Sequence, residues 1–301
     1  MIKKVCVIMS TYNGAAYIEK QIESIMQQKN IEIILYIRDD GSTDNTIDIV
    51  RKCKKIYSKK IILKIGNNIG YQRSFMDALV NCPLADYFAF ADQDDIWDED
   101  KIVNAVNVLE KLDNIALYAS SLKLIDENGC EIGENNIGNM QNNIECYFAR
   151  PRLAGCTYLF TPKLRDISLE ISRMPYITYP DHDFIIASCA YAFGNVYLDE
   201  NSGILHRRLA KSVTGGSNGF IKRIRVEKNV IFGKNKVCKD MANNLLKMNE
   251  VKEDVKDFLE CMKEYDKSLS NKIKLLKRKK FRSGIIICDM EMLFKVMIEK
   301  M

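Results

Sequence analysis

Three carboxylates fall within four residues, in Asp92-Gln93-Asp94-Asp95, directly after the apolar run Tyr87 to Ala91. Carboxylates this close repel one another. A divalent cation relieves that cost, and a substrate diphosphate can complete the ion's shell. The competing role is the first turn of a helix, which favours acidic residues. Asp39-Asp40-Gly41-Ser42 also ends an apolar run. It reads as a plain strand-to-helix turn or as a carboxylate accepting a nucleobase N–H. Asp181-His182-Asp183 precedes an apolar helix, where burial can tune an acid for general-base work or where the acid simply caps the helix. His182 itself reads as a loop histidine. Arg207-Arg208 and Lys211 follow a short apolar segment. They suit phosphate clamping and stabilisation of a departing diphosphate, or a solvated turn.

The composition narrows these options. The chain has 301 residues, of which 47% are hydrophobic and 28% charged, the proportions of a globular protein with about two structural units. With only two histidines, His182 and His206, neither an HExxH nor a Cys2His2 site can be built. A metal would be held mainly by carboxylates, favouring Mg²⁺ or Mn²⁺. Ten cysteines without a CxxC pair suit reduced, buried thiols in the cytosol. Val5 to Met9 is too short for a signal h-region of about 7–15 residues. No apolar run approaches the roughly 20 residues of a membrane span. A cytoplasmic chain is expected, with the inner face of the cell membrane as a further location. Residues 216–301 hold 21 Lys and Arg against 12 Asp and Glu, and Lys272 to Arg282 carries seven cations and no anion. A solvated helix face explains such a run, and so does contact with anionic lipid. Nucleic acid is not expected, since no nucleic-acid motif accompanies the charge.

The elements that must position the acids follow from periodicity. Val5 to Met9, Ile31 to Ile37, Ile61 to Ile65 and Asp86 to Ala91 read as strands. Between and after them, apolar positions at helical spacing predict helices starting near Ile18, after Asp44, over 71–80 and through Ile102 to Leu112. Ser42, Thr43 and Asp44 are the expected caps of the second helix. This alternation means a mainly parallel sheet covered on both faces, with ligands at the carboxyl ends of the strands. Residues 126–148 read as a loop or small hairpin, Leu153 to Phe160 as a strand, and 184–193 as a buried helix. Val196 to Leu198 and Ile204-Leu205 read as short strands, and the rest from about Gly219 as Lys-rich helices.

Taken together, Val5 to Gly14, Asp39 to Asp44 and Asp92 to Trp97 resemble bacterial glycosyltransferase family 2, in the rhamnosyltransferase-like branch. The resemblance implies an α/β GT-A fold over residues 1–215, with a basic helical C-terminal region over 216–301. It implies an inverting, metal-dependent transferase. The donor would be a dTDP- or UDP-linked sugar of rhamnose, glucose or galactose type. The acceptor would be a hydroxyl of a surface polysaccharide or lipid-linked glycan. By the same resemblance Ser10 and Tyr12 flank the base and Asp40 contacts it, while Arg73 faces the nucleotide sugar. Asp92 lies near the ribose or sugar, Asp94 is the principal ligand of Mn²⁺ or Mg²⁺, and Asp183 deprotonates the acceptor. Gly155-Cys156-Thr157 looks like the small-residue stretch on the acceptor side.

One departure stands out. A Tyr-Arg-x-His-Gly segment of the family reads His206-Arg207-Arg208-Leu209-Ala210 here, so Leu209 replaces the histidine. Arg207, Arg208 or Lys211 would then take over the diphosphate contact, with His206 a weaker candidate. That departure supports the alternative of a catalytically degenerate scaffold in glycan assembly. A phosphatase using Asp92 as nucleophile and a nucleotidyltransferase both lack their accompanying motifs. The basic C-terminal helices are the expected place for peripheral membrane contact or dimerisation.

Overall fold

A computed structural model describes residues 2–176, 178–209 and 236–301. Its centre is a nine-stranded sheet in the order β3-β2-β1-β4-β8-β6-β9-β5, with β7 paired to β6. The strands are β1 (Lys3–Thr11), β2 (Ile31–Asp39), β3 (Ile61–Ile65), β4 (Tyr87–Ala91), β5 (Ile96–Trp97), β6 (Ala116–Ile125), β7 (Glu131–Asn135), β8 (Leu159–Phe160) and β9 (Asn195–Arg207). The first four are mutually parallel. Beyond β4 the sheet is mixed: β8 runs antiparallel to β4 and β6, whereas β6 and β9 are parallel.

The helices are α1 (Ile18–Met26), α2 (Thr46–Tyr57), α3 (Tyr71–Asn81), α4 (Lys101–Leu109), α5 (Ile144–Ala149), α6 (Pro162–Ser172), α7 (His182–Phe193), α8 (Val237–Leu245), α9 (Glu253–Glu264), α10 (Leu269–Leu276) and α11 (Ile286–Met297). The continuous apolar strands serve two cores at once, because successive side chains point to opposite faces. Cys6 and Ile8 of β1 and Phe88 and Phe90 of β4 join α3, α5, α6, α7 and the C-terminal helices. Val5, Val7 and Met9, with Tyr87, Ala89 and Ala91, face α1, α2 and α4. The C-terminal helices therefore share a core with the sheet. The boundary expected at 215/216 lies outside the described residues, as does Lys211.

Several local expectations change. Within 126–148 there is a β6–β7 hairpin and also α5, whose cap Asn143 accepts a bond from Cys146 N at 2.9 Å. Of Leu153 to Phe160 only Leu159–Phe160 pairs as strand. Gly155–Thr157 is a 3₁₀ turn, held by Thr157 Oγ1 donating to Ala154 O at 2.7 Å. The two short strands after α7 are one, β9, with its register shifted where the polar Asp199 to Gly203 segment interrupts the apolar pattern. The residue capping α2 is Asn45, not the expected trio. Asp44 instead accepts from Thr46 N at 3.0 Å, and Ser42 turns to Asp39 and Asn13.

Gly194 ends α7 where the chain turns into β9. A Cβ there would sit 2.1 Å from the Ile115 carbonyl oxygen, which pairs with Asn195 N and cannot retreat without breaking that bond. Gly194→Ala is expected to cost about 1–3 kcal/mol by overpacking. The check is a lowered midpoint of urea unfolding at unchanged slope.

Candidate active site

The acidic loop after β4 is aimed by β5. Antiparallel pairing sets Ile96 opposite Leu205 and Trp97 opposite Ile204, which brings Asp95 against His206. His206 Nδ1 lies 2.9 Å from Asp95 Oδ1 and 3.8 Å from Cys156 Sγ. Ligand atoms of Asp92, Asp95, Cys156 and His206 all lie within 4.8 Å of one another. Asp94 is not one of these four. It follows Gln93 at the mouth of the same loop, half-buried, its carbonyl accepting from Arg207 Nε at 3.0 Å.

Electrostatics here run short of positive charge. Burial and the neighbouring Asp95 charge push Asp94 up to about 6, and the same causes push Asp92 upward. Burial opposes a charged His206, but the Asp95 carboxylate outweighs it and raises the imidazole well above its usual range. One oxygen of Asp95, Oδ2, is buried without a hydrogen-bond partner. Two carboxylates, an imidazole and a thiol around an orphaned oxygen fit a divalent cation.

Asp183 opens α7 on the far side of Gly155–Thr157, close enough to Asp92 for their charges to repel. Burial, then the Asp181 charge, raises it to about 7. Gly155 makes room: a Cβ on it would lie 2.9 Å from His182 Nε2 and 3.1 Å from Asp183 Cβ. His182 is a packed residue rather than a loop histidine. Its ring stacks on Phe75 at 4.0 Å and meets the edge of Phe90 at 4.7 Å. Burial lowers it to about 4, so it is neutral at physiological pH.

The nucleotide-side residues divide. Tyr12 is exposed, and Gln93 clamps its backbone, accepting from Tyr12 N at 2.9 Å and donating to Tyr12 O at 3.2 Å. Gly14 permits that clamp, since a Cβ there would be 2.3 Å from Gln93 Oε1. Ser10 Oγ bonds Ser74 Oγ at 2.6 Å. Asp40, expected beside a base, is 2% exposed and committed internally. It accepts from Arg38 at 2.5 Å, Ile69 N at 2.9 Å and Gly70 N at 3.0 Å. Its partner Arg38 also reaches Asp77, Ser74 and the Asn67 carbonyl, and so ties β2 to α3. Arg73 projects outward with its guanidinium 5.1 Å over the Tyr179 ring. Tyr71 and Gln72 both donate to Asp181 Oδ1, at 2.6 and 2.7 Å, strapping α3 to the start of α7.

Arg207, expected to clamp phosphate, is 4% exposed and its donors are spent inside the fold. They hold the carbonyls of Asp94, Asp126 and Glu127, and the guanidinium lies 4.5 Å over Tyr17. Arg208 is half-buried, and among the described residues its side chain makes no hydrogen bond or ion pair of the kind that consumes Arg207. The sequence reading missed Arg38 and Gln93 as organisers and gave Cys156 no ligand role. The signal for Arg38 was a lone cation ending an otherwise apolar strand.

The profile of "Glycosyl transferase family 2" matches residues 6–157. The dTDP-rhamnosyl transferase RfbG of Shigella flexneri is 28% identical over 261 residues, covering 81% of this chain and 88% of that protein. An uncharacterized glycosyltransferase of Haemophilus influenzae is 37% identical over 130 residues, 42% of this chain and 39% of its own length. Among solved structures, S. aureus TarS 1–349 in complex with UDP-GlcNAc superposes with a TM-score of 0.60 at 18% identity, covering 99% of this chain and 82% of that one. That likeness is one of fold, and the shared fold is GT-A. With the acidic strand ends, the mixed sheet and the matched profile in agreement, the chain belongs to glycosyl transferase family 2.

Proposed function

We propose that this glycosyltransferase inverts configuration, moving a sugar from a dTDP- or UDP-linked donor to a hydroxyl of a surface or lipid-linked glycan. The observation that carries the mechanism is Asp183: a buried carboxylate pushed up to about 7, beside the side-chain-free Gly155, whose neighbour Cys156 belongs to the Asp92 cluster. Ionised, Asp183 takes the proton of the acceptor hydroxyl, whose oxygen attacks the sugar carbon opposite the leaving diphosphate. Tyr12 and Ser10 would border the base, and Arg73 would face the donor. Asp40 is better suited to fixing the loop before α3, given its internal bonds. Of Arg207 and Arg208, Arg208 is the one left to meet a diphosphate, since Arg207 holds the acidic loop in shape. Mn²⁺ or Mg²⁺ would be held by Asp94, the principal ligand expected from the sequence, together with Asp92, Asp95 and His206, and would neutralise the leaving group's charge. An imidazole and a thiol in the donor set favour Mn²⁺ over Mg²⁺.

The donor reading draws on RfbG, named for dTDP-rhamnose, and on TarS, solved with UDP-GlcNAc. The scaffold alternative rested on Leu209. His206, three residues earlier, supports catalysis instead, because it supplies the imidazole that Leu209 lacks.

Asp183→Asn is expected to lower kcat by about 10²–10⁴-fold with donor affinity kept. In the parent protein kcat/KM should climb with pH and level off above about 7, because the base must lose its proton; pH-rate profiles of both proteins check this. Calorimetric titration of UDP, dTDP and GDP with and without Mn²⁺ tests the donor side. One diphosphate should bind in a metal-dependent manner, and Asp94→Asn should abolish that dependence. Unchanged glycan assembly in cells carrying Asp94→Asn would instead favour the scaffold.

A further inference from the structure

Helix α11 is apolar on both sides. Cys288, Met292 and Val296 recur at four-residue spacing and are buried, the last two in the shared core. Ile286, Met290, Leu293, Phe294 and Met297 form a second stripe on the same helix, from 42% to 79% exposed. Five large apolar side chains in one contiguous helical stripe mark an interaction surface rather than scattered surface residues. The two carboxylates of α11 are both engaged, Asp289 with Ser283 and Glu291 with Lys295.

The basic run Lys272 to Arg282 leads into this helix, and the structure sorts its charges. Lys272 pairs with Glu299, Arg278 with Glu145 and Asp257, and Arg282 with backbone carbonyls. Lys277, Lys279 and Lys280 are exposed, and among the described residues none of them has a carboxylate within ion-pair distance. α10, which packs against α11, adds exposed Leu269 and Ile273.

We propose that the outer stripe of α11, with Lys277, Lys279 and Lys280, docks the protein onto an anionic lipid bilayer. The apolar side chains would enter the boundary between headgroups and acyl chains while the ammonium groups stay at headgroup level. A second copy of the chain fits less well. A two-fold contact sets a patch against itself, which would bring unpaired lysines to face their own copies. The inference stands independently of the transferase chemistry.

The test is sedimentation of the full chain with vesicles of phosphatidylglycerol and phosphatidylethanolamine, against vesicles of phosphatidylcholine alone. The protein should pellet with the anionic vesicles and stay in solution with the neutral ones. Ile286→Ser/Met290→Ser/Phe294→Ser should release it. Replacing Lys277, Lys279 and Lys280 by Ser should weaken binding about fivefold per lysine. Both variants change exposed positions, so their melting curves and their transfer to a soluble acceptor should match the parent. Failure of the parent to pellet would overturn the proposal. So would a dimer in light scattering that the triple Ser variant of the stripe abolishes, which would assign the surface to self-association.

Discussion

Carboxylates outnumber cations at the carboxyl edge of the sheet, and the local architecture follows from managing that imbalance. Asp92, Asp94 and Asp183 are all pushed toward protonation by burial and like charge. One imidazole, His206, offsets part of this. Arg207 offsets a little more at Asp94, while its donors hold backbone carbonyls. The site is thus left acidic, a state that favours entry of a cation.

Holding repelling groups together requires a rigid frame, and the frame is polar, buried at Arg38 and Asp40, half-buried at Gln93 and exposed at Asp181. Arg38 and Asp40 fix the segment between β3 and α3. Gln93 fixes the loop after β1 to the acidic loop. Asp181 joins α3 to α7. Each clamp links segments that are distant in sequence, 29 residues apart for Asp40 and Ile69, 81 for Tyr12 and Gln93, and 110 for Tyr71 and Asp181. The acids gain their positions from these cross-links more than from their own hydrogen bonds.

Much of this was legible in advance. The parallel half of the sheet follows from apolar runs that alternate with helical spacing, and the acids stand at strand ends as that pattern requires. The other half was not legible in the same way. β8 is two residues long, and β9 carries a polar interruption, so neither has the length that periodicity needs. The inward turn of Asp40 and Arg207 was hidden for a different reason. An arginine or aspartate at a strand end has the same sequence signature whether it faces solvent or a distant partner, 29 residues away for Asp40 and Ile69 and 113 for Arg207 and Asp94. The placement of His206 beside Asp95 was hidden because it comes from β5–β9 register, which no local pattern encodes.

The C-terminal helices carry a consequence for how the chain folds. Phe281 packs on Phe258, Phe258 on Phe148, and Phe148 on Phe184, the residue after Asp183. This row of rings runs from the tail to the start of α7. The tail is therefore a wall of the catalytic unit. Cutting the chain near the end of β9 would strip one side of α7 to water, and the helix that carries the proposed base would lose the packing that sets its orientation.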